Sequence, residues 1–176
     1  TREHIDIYDV DRNLVQRPVS VSEMSADMAD KSGYRHYMLK EIFTQPLAIA
    51  DALEGRISKG RVVENEFGHT AKAILDRVKG VQIVACGTSY HAGLVARHWI
   101  EEMAGIPCNV EVASEFRYRK SVVAPDTLFV AISQSGETAD TLAALQLARQ
   151  SGYISTLAIC NVAESSLTRE TDLVFL

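Results

Sequence analysis

Cysteine is scarce in this sequence. There are three, Cys86, Cys108 and Cys160, each inside an apolar run. An odd, widely spaced set argues against a disulfide framework and offers no zinc-ligand spacing. The three read as small buried residues in a reducing cytoplasm. Positive charge is short as well: 18 Lys and Arg face 23 Asp and Glu, for a net charge of −5. No basic stripe appears, which argues against a nucleic-acid partner. No apolar run approaches the roughly 20 residues needed to cross a bilayer, so no membrane partner is expected. The opening "TREHIDIYDVDRN" has no apolar segment of the kind a signal peptide requires. What remains is ordinary globular material: 176 residues, 47% hydrophobic and 23% charged. That length allows one domain plus a tail.

Residues 1–30 differ from the rest. "HIDIYDVDRNLVQRPV" alternates apolar and polar residues around "DVDRN", a hairpin-like pattern. "SVSEMSADMADKSG" is polar and acidic with a glycine stop, and reads as a linker. From Tyr34 the pattern turns helical. "YRHYMLKEIFTQP" places Tyr34, Met38 and Ile42 on one face, with Pro46 as punctuation. "LAIADALEGRI" continues to a break near Gly55, and "TAKAILDRVKG" is a further amphipathic stretch running into Gly80.

A rhythm then sets in. "VQIVACG", "IPCNVEVAS", "TLFVAISQSG", "ISTLAICNV" and "TDLVFL" read as strands. "HAGLVARHWIEEMAG" reads as a helix with Ala92, Val95, Trp99 and Met103 on its apolar face and Gly105 as its stop. "TADTLAALQLARQSG" is a helix ended by Gly152. Strands apolar throughout are buried on both faces, which means a parallel sheet covered by helices. The alternation predicts a doubly wound α/β fold, a three-layer αβα sandwich. A chain that stops within a strand is expected to be a fragment of a longer one.

In an open parallel sheet, ligands bind beyond the carboxyl ends of the strands at the switch point. Two turns there are rich in small polar residues: "CGTSYHAG" (86–93) after the first strand and "SQSGET" (133–138) after the third. With strand order 2-1-3-4-5, these strands are neighbours and both turns open onto one crevice. Each turn leads into a helix N-terminus, where unsatisfied N–H groups and the helix dipole favour an anion. Gly87 and Gly136 let backbone come close, Ser89, Ser133, Ser135 and Thr138 offer hydroxyls, and Gln134 offers an amide. Neutral donors contributing about 0.5–1.5 kcal/mol each suit a phosphorylated metabolite. A nucleoside triphosphate would call for a lysine and a metal. The competing reading makes these residues plain helix caps, with Thr138 and Thr141 as capping or helix-surface residues.

Other chemistries fit less well. Neither a phosphate-loop lysine motif nor G-x-G-x-x-G follows the first strand. "GTSYH" lacks the last glycine of a nucleophile elbow. Nothing gathers His91 and Asp140 around Ser89 as a triad. Cys86 reads as a packed strand residue rather than a nucleophile. His36, His91 and His98 have no metal-ligand spacing, so no metal is expected. Glu111 and Glu115 read as solvated or paired rather than as catalytic bases.

"ACGTSYHAG", "EVASEFRY", "SQSGETADT" and "AICNV", in that order behind "YRHYMLKEIFTQP", carry a resemblance. From Tyr34 onward the chain resembles the first sugar isomerase (SIS) domain of the glutamine–fructose-6-phosphate aminotransferases (isomerizing). Thr44 departs from that pattern, which usually has Glu there. The resemblance implies a five-stranded parallel sheet of flavodoxin-like order 2-1-3-4-5. Residues 1–30 would be the end of the glutaminase domain and a linker, and residues 31–176 the first SIS domain, followed in the parent by a second. It implies binding of fructose 6-phosphate or glucosamine 6-phosphate in amino sugar biosynthesis, without metal or organic cofactor. The family's sugar-phosphate contacts fall on Cys86, Gly87, Thr88, Ser89, Ser133, Gln134, Ser135 and Thr138. Its catalytic glutamate, histidine and lysine have no counterpart here, so no catalytic residue is expected in this chain. The family forms homodimers through its isomerase domains. The alternatives are a sugar-phosphate sensing module and a stand-alone phosphosugar isomerase or lyase. The first would bring a basic DNA-reading helix, and the second its own acid–base pair; neither is found.

Overall fold

The computed structural model describes residues 5–16 and 30–176. Residues 20–29 of the segment read as a linker lie outside them. The chain divides into two compact units, the first ending at Ala48 and the second running Ile49–Leu176. In the first, the alternating segment makes one antiparallel bridge, Tyr8 to Leu14. Asp9 closes that turn by accepting the N–H groups of Asn13 (2.8 Å) and Asp11 (2.9 Å).

Helix α1 (Tyr37–Leu53) contains Pro46 rather than ending at it. Proline brings no N–H to the Ile42 carbonyl one turn back, yet the helix continues past it. Two short segments that the sequence does not announce follow: strands β1 (Ile57–Ser58) and β2 (Arg61–Val62), an antiparallel pair. A 3₁₀ turn, Glu64–Phe67, and helix α2 (Ala71–Leu75) complete the approach.

The body then alternates: β3 (Gly80–Ala85), α3 (Gly87–Trp99), β4 (Cys108–Val112), α4 (Ala113–Phe116), β5 (Thr127–Ser133), α5 (Ala139–Arg149), β6 (Ser155–Cys160), α6 (Ser166–Glu170) and β7 (Leu173–Phe175). A wider π turn, Ile100–Ala104, extends α3. The five long-range strands are parallel in the order β4-β3-β5-β6-β7. Numbered as they occur, that is the expected 2-1-3-4-5.

Period-two side-chain alternation sorts the strand residues onto two faces. Val81, Ile83, Leu128, Val130, Leu157 and Leu173 pack with Ala71, Ala96 and Ile100, from α2 and the α3 region. Val84, Phe129, Ala131 and Ala158 pack with Phe116, Ala144, Leu145, Ala148 and Leu167, from α4, α5 and α6. This is the three-layer sandwich.

The facing of α3 corrects the sequence reading. Val95 (49% exposed), Trp99 (58%) and Met103 (77%) point outward. The helix turns Gly93 and Ala96 to the sheet instead. A Cβ on Gly93 would stand 3.0 Å from both Ile83 Cγ2 and Val110 Cγ1. Close approach of this helix demands small residues there, and larger ones are displaced to the outer side.

Candidate functional site

The site forms where β3 and β5 end. Their last paired rung is Ala85 with Ile132, so Cys86 and Ser133 leave the sheet side by side. Each strand then turns sharply into a helix. Gly87, at φ +57°, makes the first turn, and Gly136, at φ +67°, makes the second. The approach at Gly136 is closer than any side chain could tolerate. A Cβ there would lie 2.1 Å from Ser165 Oγ and 2.4 Å from Ser165 Cβ.

The two turns enclose one cavity of about 260 Å³. All eight residues singled out from the sequence line it: Cys86, Gly87, Thr88 and Ser89 on one side, Ser133, Gln134, Ser135 and Thr138 on the other. Ile132 and Thr141 complete the wall. Thr141, a capping or helix-surface residue on the competing reading, is buried to 1% exposure, with its Oγ1 3.9 Å from Cys86 Sγ. It stands three residues beyond Thr138, on the inner side of α5, where only a register known from the fold could have placed it.

The hydroxyls do not act as helix caps in this structure. Cys86 and Thr138 hold the N-cap positions of α3 and α5, and neither side chain bonds to its helix. By contrast, Ser165 does cap α6, accepting from the Thr168 N–H. The loop serines shape their own turn: Ser133 Oγ accepts the Gly136 N–H (3.0 Å), and Ser135 Oγ accepts the Glu137 N–H (3.2 Å). An oxygen used as acceptor leaves its own O–H free to donate elsewhere. The first turns of α3 and α5 thus present uncapped backbone N–H groups to a cavity edged with hydroxyls and an amide, an arrangement suited to an anion.

Carboxylates near the site are engaged elsewhere. Asp140, in the first turn of α5, accepts from Arg117 at 2.6 Å, and that bond raises the guanidinium pKa further. Glu137 turns toward α6. Glu111 is paired with Arg119. The imagined triad does not assemble: Asp140 belongs to Arg117, and His91 is exposed beside Tyr90. Among the described residues no group of three His, Cys, Asp or Glu could hold a metal ion. Nor, among them, is any helix long and apolar enough to cross a membrane.

Known proteins resemble this chain along nearly its whole length. The chain is 59% identical over 175 residues to a glutamine–fructose-6-phosphate aminotransferase [isomerizing] of Idiomarina loihiensis, covering 99% of this chain. It is 56% identical over 176 residues to the protein of that name from Shewanella oneidensis, covering all of this chain. It spans 29% of the length of these relatives. Among solved structures it resembles the C-terminal domain of glucosamine-fructose-6-phosphate aminotransferase from Francisella tularensis. The TM-score there is 0.80 at 49% identity, covering 84% of this chain and 41% of that one. The family model for the SIS domain matches residues 74–176. That match begins ahead of β3 and takes in every strand of the parallel sheet, and on it the chain belongs to the SIS domain family.

Proposed function

We propose that this chain is the sugar-phosphate-holding part of a glutamine–fructose-6-phosphate aminotransferase (isomerizing). In the parent, an amino group from glutamine would be transferred to fructose 6-phosphate to give glucosamine 6-phosphate. The observation that carries the reading is the convergence of two uncapped helix N-termini and their hydroxyl-bearing turns on one cavity. Residue by residue, Ser89, Ser133, Ser135 and Thr138 donate O–H groups to the phosphate, with Gln134 adding its amide. Cys86, Gly87 and Thr88 lie along the sugar. Neutral donors and helix ends hold a phosphate dianion without a metal.

Among the described residues, the cavity wall contains no carboxylate, histidine or lysine. Ring opening, imine formation and the proton shift between sugar carbons each need such a group. The chain therefore supplies binding and orientation, and the chemistry belongs to a second SIS domain of the parent. A glutaminase domain would deliver the ammonia, and the assembled enzyme would be a cytoplasmic homodimer. Residues 1–30 would be the end of that glutaminase domain and its linker.

The test is a calorimetric or NMR titration of the chain with fructose 6-phosphate, glucosamine 6-phosphate, fructose and inorganic phosphate. Both sugar phosphates should bind in the millimolar to micromolar range, at about −4 to −8 kcal/mol. Fructose should not bind, and the double variant Ser133→Ala, Ser135→Ala should lose the signal. Equal binding of fructose, or full affinity in the double variant, would remove the reading.

A further inference from the structure

Loop 133–138 contains one ionisable side chain, and its sign is wrong for the ligand just proposed. Glu137 is a carboxylate within a cradle for a phosphate. Two like charges in one loop repel, and the repulsion is strongest where water is excluded. The structure shows where the carboxylate goes. Glu137 Oε1 accepts the backbone N–H of Ser166, the first residue of α6, at 2.7 Å. The adjacent Gly136 carbonyl accepts the N–H of Leu167 at 3.1 Å. Ser165, which caps α6, packs directly behind Gly136.

Three consecutive residues of α6 and its cap therefore grip two consecutive residues of the loop. The charge faces the N–H end of α6 and the Arg169 guanidinium, which further favours its ionised form. It is turned from the cavity, whose wall does not include it.

We propose that Glu137 is a positioning residue: by binding the Ser166 N–H it fixes loop 133–138 in the conformation that aims the Ser133 and Ser135 hydroxyls into the cavity. The inference rests on the sugar-phosphate reading above and adds to it a dependence on α6, an element that does not line the site. In this arrangement the acceptor oxygen is what matters, and the negative charge is tolerated because it is turned away.

The experiment measures affinity for fructose 6-phosphate and for inorganic phosphate, with the thermal midpoint of each variant recorded alongside. Glu137→Gln keeps an acceptor oxygen and should stay within about twofold of wild type. Glu137→Ala removes it and should weaken both ligands roughly tenfold, the effect of losing one hydrogen bond that holds the loop. Ser166→Pro removes that N–H, together with the serine hydroxyl that also bonds the carboxylate, while leaving Glu137 itself in place. Proline is tolerated at a first helical position, and the extended Ser165 before it suits a proline neighbour. It should reproduce the loss seen with alanine. A different outcome, in which alanine and glutamine both tighten binding, would mean that Glu137 acts on the ligand only through repulsion, and would overturn the inference. So would unchanged affinity in both Glu137→Ala and Ser166→Pro. If the wild-type chain binds neither ligand, the sugar-phosphate reading itself fails and this inference goes with it. Binding by wild type with indifferent variants removes the inference alone.

Discussion

Asp172 and Thr156 exchange hydrogen bonds one step below the first paired rung of β6 and β7. The Asp172 N–H donates to Thr156 Oγ1 at 3.0 Å, and Asp172 Oδ2 accepts both the N–H and the hydroxyl of Thr156 at 2.9 Å. Ser155 Oγ adds a third donor to the same oxygen at 3.0 Å. Partial burial pushes this carboxyl upward, but the bonds from Thr156 and Ser155 outweigh it and leave the pKa below its ordinary 3.8. A lowered native pKa stabilises the fold above the unfolded value, and the contribution is lost as pH falls through the native one. Replacing Asp172 with Ala should cost about 1–2 kcal/mol at neutral pH, since water reaches part of the network. In urea titrations the gap between variant and wild type should narrow below the ordinary carboxylate range. A gap that persists undiminished at pH 2 would mean that packing, not the charge, holds this seam.

Gly136 and Gly87 both sit at positive φ, but they stand in different surroundings. Among the described residues Gly87 has nothing within 4 Å of where a Cβ would be, whereas Gly136 faces the Ser165 side chain. Gly87→Ala should cost only the backbone term, about 1 kcal/mol. Gly136→Ala adds a steric clash to the same strain and should cost at least about 2 kcal/mol more than that. Thermal unfolding of the two variants side by side checks the ranking. Equal losses would show that α6 can retreat from the loop.

The cysteines should separate by reactivity. Cys108 is buried, and burial first, then the nearby Glu101 carboxylate, pushes its thiol up to about 11. Cys160 is equally enclosed, at 2% exposure. Cys86 alone lines the cavity. Iodoacetamide at neutral pH should label Cys86 first, as read by mass spectrometry, and fructose 6-phosphate should slow that labelling. Faster labelling of Cys108 would require opening of the β4 edge.

The sheet was legible because β3, β5 and β6 are predominantly apolar, and the two turns because small polar residues interrupt such strands abruptly. What escaped did so for physical reasons. Helices α4 and α6 have four and five residues, too few for a 3.6-residue period to show. Strands β1 and β2 have two residues each. The facing of α3 is not legible from its apolar pattern, which is dominated by large residues, while this helix meets the sheet through Gly93 and Ala96. The eight cavity residues could be picked from turn chemistry and resemblance. Thr141 could not, because its burial depends on how α5 lies over the sheet.

The outward facing of α3 has an optical consequence. Trp99 is the single tryptophan of the chain, and it sits on the exposed side of the helix. Its fluorescence therefore reports on that outer surface and carries little information about the core. Unfolding should shift its emission only slightly, since the indole is largely hydrated already. A pronounced blue shift, by contrast, would register another surface closing over Val95, Trp99 and Met103 while the sheet beneath stays intact.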